Sequence, residues 1–151
     1  MSTTVLENRQ ARHLYHIEDT FKAGIVLEGW EVKSILSGRA NFNGGGAFVK
    51  FIAGEAWLEA MTITPLLTTN QGLLGHREPN RARKLLLSRS ELNKLMKRVV
   101  AGYTIVPLAV ERERKLKVII GLAKGKKQHD KRETIKQRDL TRSMAREARN
   151  G

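Results

Sequence analysis

The sequence predicts a mainly β protein with a few helices: a small antiparallel, OB-like β-barrel followed by a basic C-terminal tail. Three observations predict it. Apolar residues alternate along several short runs separated by Gly-containing breaks, the mark of half-buried strands. Helical spacing is confined to two stretches of the body. Charge then concentrates beyond Ala123, where little is left to bury. With 28 Lys+Arg against 15 Asp+Glu in 151 residues, the formal net charge is +13 and the pI near 10.5. A field of that sign draws polyanions, nucleic acid first and an anionic membrane face second. No apolar run approaches the roughly 20 residues of a spanning helix, and MSTTVLENRQ lacks the apolar stretch of a signal peptide. The absence of Cys removes disulfides and thiolate zinc sites. A cytoplasmic, soluble, monomeric protein without membrane association or cofactor is expected.

Each element has its own signal. Residues 1 to about 10 read as a loose arm. Tyr15, Ile17, Phe21, Ala23, Ile25 and Leu27 alternate as a strand until Gly29. Trp30, Val32, Ile35 and Leu36 suit a short helix closed by Gly38. Asn43 to Gly46 is a turn, and Phe48–Ile52 and Ala56–Met61 flank Gly54 as a hairpin. Thr68 to Pro79 is polar and Gly-bearing, a long surface loop. Ser88, with Glu91 three residues on, forms a capping box that satisfies free N–H groups of a first helical turn. Leu92, Leu95, Met96, Val99 and Val100 follow at helical spacing as a core-packing stripe, and Gly102 stops the helix. Tyr103 to Glu111 and Lys115 to Ala123 form a long hairpin whose second strand turns Leu116, Val118, Ile120 and Leu122 to one face. Pro107 places its strand at an edge or a bulge. The body therefore spans 1–123 and the tail 124–151.

From Lys124 to Arg149 there are ten Lys or Arg against four Asp or Glu, a net of +6. Asp130 and Glu133 can cap a helix, and Arg138, Arg142 and Arg146 then align at i, i+4 and i+8. The apolar stripe Ile135, Leu140 and Met144 is too thin to offset the entropy of ordering, so the tail is expected to be disordered alone and helical on a polyanion. In Lys124-Gly125-Lys126-Lys127 the glycine lets the backbone approach a phosphate while three ammonium groups displace counterions. A solvated strand end is the plainer reading, and P-loop spacing is lacking. Arg81, Arg83 and Lys84 form a second patch, equally a solvated surface or a phosphate clamp. His13 and His16 lack further ligands and read as partly buried or stacking. Trp30 and Trp57 read as core or barrel-rim residues, outside any basic setting that would favour base stacking. No nucleophile–base pair, carboxylate pair or metal-ligand spacing can be assembled, so an enzyme is not expected.

Four segments carry a resemblance: NRQARH at Asn8 to His13, AGIVLEGWEVKSILSGRAN at Ala23 to Asn41, RARKLLL at Arg81 to Leu87, and GLAKGKKQHDKRETIK at Gly121 to Lys136. In this order they closely resemble the SsrA-binding protein (small protein B) family across nearly the whole chain. The resemblance implies an OB-type barrel that binds the tRNA-like domain of transfer-messenger RNA. Acting indirectly with elongation factor Tu, it brings that RNA to stalled ribosomes, where the tail becomes helical in the decoding centre and the empty message channel beside small-subunit rRNA and the incomplete product is tagged for proteolysis. By matching positions, Asn8, Arg9, Leu86, Lys124, Lys126 and Lys127 are RNA-binding residues, with Lys33, Arg81, Arg83 and Lys84 joining them as basic members of the matching segments. His129, Asp130, Lys131, Arg132, Ile135 and Lys136, with Arg138 and Arg142, are the residues of the ribosomal tail. The chain departs from the family at Lys22, where Glu is common, at Gly44 to Phe48, and at Leu140. A static ribosomal or nucleoid-associated basic protein is the alternative, and mixed rRNA or DNA rather than one tRNA-like species would mark it.

Overall fold

The longest hairpin organises the molecule. β8 (Thr104–Arg112) and β9 (Leu116–Gly125) are rich in buried apolar residues, and the two strands pair antiparallel around Glu113 to Lys115. The computed structural model describes residues 2–66 and 78–125. All but the end of the expected Thr68–Pro79 loop, and everything from Lys126 onward, lie outside the described residues. The earlier elements are β1 (Thr3–Glu7), α1 (Arg9–Leu14), β2 (Tyr15–Ile25), α2 (Gly29–Leu36), β3 (Ala40–Asn41), β4 (Phe48–Ile52), β5 (Glu55–Glu59), β6 (Thr62–Ile63), β7 (Arg83–Leu86) and α3 (Arg89–Val100). Seven strands form one antiparallel sheet in the order β1-β8-β9-β2-β7-β5-β4, and β3 pairs with β6 separately. The sheet curls so that β4 packs beside β8. It is barrel-like in shape, but its hydrogen bonding does not close a ring among the described residues.

The expected loose arm is instead structure. Thr3, Thr4 and Val5 are β-branched and suit a strand, and β1 pairs with the outer side of β8. The chain then turns at Asn8, whose Oδ1 accepts the Ala11 N–H at 3.2 Å and whose Nδ2 donates to the Pro107 carbonyl at 2.7 Å. That anchor starts α1, a helix the spacing alone does not reveal.

The sheet is covered on both faces. The main core holds Ala23, Ile35, Leu58, Met61, Ile63, Leu95, Ile105, Val118, Ile120 and neighbours. A smaller cluster of Ala11, Val106, Leu108 and Ala123, with Tyr15, Ile17 and Ile119, lies under α1 on the opposite face. Two register shifts create this division. Between Ile17 and Asp19 one extra residue reverses the side-chain parity of β2, so Tyr15 and Ile17 face the small cluster while Phe21, Ala23 and Ile25 face the main core. Between Pro107 and Ala109 a second shift does the same to β8. Pro107 therefore marks a bulge, not an edge: β8 has a neighbour on both sides. The even alternation expected from Tyr15 to Ile25 is two half-strands facing opposite ways.

The α3 capping box forms as expected, with Ser88 and Glu91 exchanging hydrogen bonds. Its apolar stripe is core only in part. Leu92 and Leu95 are buried and Met96 is half-buried, but Val99 is exposed and Val100 is 89% exposed.

Candidate nucleic-acid interface

The residues expected to meet RNA fall into two groups at opposite ends of β2. At its start, Tyr15 and His16 lie opposite Gly125 and Lys124. At its far end, Gly24 lies opposite Leu86. The eight residue steps from His16 to Gly24 span about 25 Å at strand geometry.

The first group sits where β9 runs out of the sheet. Lys124 Nζ stands 4.6 Å from the centre of the Tyr103 ring, and the Arg98 guanidinium is 5.5 Å from it. The ring thus holds two cations by its quadrupole, a contact worth about 0.5–1 kcal/mol at exposed sites. Neither cation has a carboxylate within ion-pair distance among the described residues. Helix α1 leads into this end and carries Arg9, Arg12 and His13, all exposed. His13 and His16 are both exposed, so of the two expected roles burial fails and stacking remains. Asn8 belongs to this region by position but is buried and spends its side chain on the turn before α1.

The second group centres on a buried carboxylate. Glu31 of α2 is fully buried, and its oxygens accept the Glu28 N–H at 2.8 Å, Arg81 Nε at 3.1 Å and Arg83 Nε at 2.8 Å; Arg81 Nη2 also binds it. Arg83 donates further to the carbonyls of Met61 at 2.6 Å and Pro79 at 2.9 Å. Burial lowers the Arg83 pKa from the usual guanidinium range, with Glu31 opposing that shift. Of the two readings of this patch, Arg83 supports neither. Its side chain has no surface to offer a phosphate, because it ties α2 to the residue before β6 and to the residues preceding β7. Arg81 keeps about a quarter of its side chain exposed. Lys84 pairs with Glu55 at 3.0 Å, Leu86 is 53% exposed, and Lys33 is exposed on α2.

Three participants escaped the sequence reading. Glu31 had a local signal, because an acid three residues after Glu28 fits a capping box, but its arginine partners are fifty residues away. Tyr103 had none, since its cations come from other elements. Trp57 has no basic neighbour along the chain, yet it lies in register with Lys50 on one neighbouring strand and Lys84 on the other. It faces away from the core that Ala56 and Leu58 enter. Lys126 and Lys127, and the tail residues His129, Asp130, Lys131, Arg132, Ile135, Lys136, Arg138 and Arg142, lie outside the described residues. Among the described residues no cluster of His, Cys, Asp or Glu could hold a metal, and no helix is long and apolar enough to cross a membrane.

A family model described as SmpB protein matches residues 5–150. The chain belongs to the SmpB family. Two curated relatives, the SsrA-binding proteins of Stenotrophomonas maltophilia strains K279a and R551-3, are each 46% identical over 150 residues, covering 98% of this chain and 87% of theirs. A chain from the solved structure described as "tmRNA-SmpB: a journey to the center of the bacterial ribosome" is similar with a TM-score of 0.65 and 42% identity, over 80% of this chain and 82% of that one. The SmpB match takes in the end of β1, both basic groups and nearly all of the tail.

Proposed function

We propose that this protein binds the tRNA-like domain of transfer-messenger RNA and delivers it to stalled ribosomes, with its tail entering the decoding centre and the empty message channel. One observation carries this reading: the 46% identity to SsrA-binding proteins extends over 98% of the chain, body and basic tail alike. The physics agrees. A folded RNA is read by shape and phosphates, and cations at a strand end suit that task. The tail's excess of Lys and Arg would offset its ordering entropy against ribosomal RNA.

In this reading the protein is a non-catalytic, cytoplasmic monomer that meets elongation factor Tu only through the shared RNA. Arg9 and Lys124 contact the RNA directly, together with Lys126 and Lys127. Arg81, Lys84, Leu86 and Lys33 form a second contact region, and Asn8 and Arg83 act by holding the scaffold. His129, Asp130, Lys131, Arg132, Ile135, Lys136, Arg138 and Arg142 line the ribosomal path.

Recovering the protein from cell extract and sequencing the RNA bound to it tests the assignment. One dominant tRNA-like species is expected; a mixture of ribosomal RNA fragments or DNA would overturn it.

A further inference from the structure

A groove of about 500 Å³ opens between the far end of β2 and the β8–β9 turn. Its lining is divided chemically. Gly24, Ile25, Val26, Leu27, Val32 and Leu86 give an apolar wall, and Leu116 extends it. Arg114, Lys115 and Lys117 give a cationic one, and among the described residues no carboxylate lines the groove. Val26 is 47% exposed and Leu86 53%, so this apolar surface is open to solvent.

The turn that carries the cations is held in place by Lys22. Its Nζ binds the Glu113 carboxylate and lies 3.8 Å from Glu111. Both turn-proximal carboxylates are thereby occupied, which leaves Arg114 and Lys115 without an ion-pair partner among the described residues. Gly24 keeps the floor low: a Cβ there would lie 3.2 Å from the Leu86 Cβ and displace that side chain.

We propose that this groove receives one unstacked nucleotide of the bound RNA, its base against Val26 and Leu86 and its phosphate on Arg114 and Lys115. The proposal rests on the RNA-binding reading above. An apolar wall accepts the face of any base, and a paired cationic rim fits the adjoining phosphate rather than a neutral ligand. The groove has the volume of a small-molecule cleft, about 300 to 1,000 Å³. It also gives exposed Leu86 a contact of its own, far from the Lys124 end.

The test uses the full chain and a tRNA-like-domain transcript carrying 4-thiouridine. Irradiation should cross-link the RNA to residues of the groove. The surface variant Arg114→Ala/Lys115→Ala should reduce the salt dependence of binding by about 0.7 to 0.9 per lost phosphate contact. Val26→Glu, which puts a carboxylate at an already exposed position, should weaken binding by about tenfold, because it replaces an apolar contact with a charge that repels the phosphate. Wild-type binding with unchanged affinity and slope in both variants, and cross-links only elsewhere, would overturn the groove while leaving RNA binding intact. Failure of the wild-type chain to bind the transcript would instead overturn the RNA reading itself.

Discussion

Glu31 shows how one side chain governs the β7 region. Two arginines and a backbone N–H converge on it in a site closed to water, where removing one partner of an ion pair leaves the others buried and uncompensated. Glu31→Gln is therefore expected to lower stability by about 3–5 kcal/mol, read as a shifted urea midpoint. Arg83 adds a sharper expectation, because it is enclosed. A folded Arg83→Met variant should bind RNA with an unchanged salt slope, whereas loss of an RNA phosphate contact would reduce that slope. Gly121 is constrained by approach: an added Cβ would lie 3.0 Å from Leu108 Cδ1 and 3.1 Å from Ile17 Cγ2, both in the small cluster under α1. Gly121→Ala should cost about 1–3 kcal/mol by overpacking, measurable in the same titration.

Among the elements, those with a self-contained signal were legible in the sequence. The Ser88–Glu91 box, the β4–β5 hairpin around Gly54, the short α2 and the β8–β9 hairpin each depend on residues close along the chain. β1 and α1 were not legible because their partners are about a hundred residues away: Thr3 pairs with Arg112, and Asn8 reaches Pro107. Bulges defeat periodicity for a different reason, since one inserted residue exchanges the two faces of a strand. In the candidate site, the Lys and Arg segments could be read but their burial could not, which is how Arg83 passed for a surface cation. The Lys22 link to the β8–β9 turn is another long-range contact, and it carries a pH signature. Hydrogen bonding to Glu113 raises the Lys22 pKa, and the same bond lowers that of Glu113. The raised amine contributes stability that is complete below its ordinary pKa and is lost as pH climbs through the raised value. The lowered carboxylate contributes stability that is complete above the usual carboxylate range and is lost as pH falls through the lowered value. A Lys22→Met variant should therefore differ from wild type in urea midpoint at neutral pH, and the difference should vanish in acid. A gap that persists in strong acid would show that lost packing, not charge, is responsible.

At the scale of the whole molecule, the body and the tail can be separated by experiment. Among the described residues, every buried member of both clusters lies between Ala11 and Ala123, and truncation after Lys127 removes none of them. It also retains Arg9, Lys124, Lys126 and Lys127. The truncated chain should melt at the same temperature as the full chain and bind the tRNA-like RNA with similar affinity, yet fail to support tagging on stalled ribosomes. The complementary variant keeps the tail and replaces Lys124, Lys126 and Lys127 with Ala. Its RNA affinity should fall, with a salt slope shallower by about 0.7 to 0.9 for each phosphate contact removed. The paired result matters more than either half. If truncation weakened RNA binding as much as the lysine substitutions did, body and tail would grip the same RNA, and the two-surface arrangement would be wrong. If truncation left tagging intact, the tail would have no ribosomal role. Loss of tagging with binding preserved is the outcome that separate contact surfaces require.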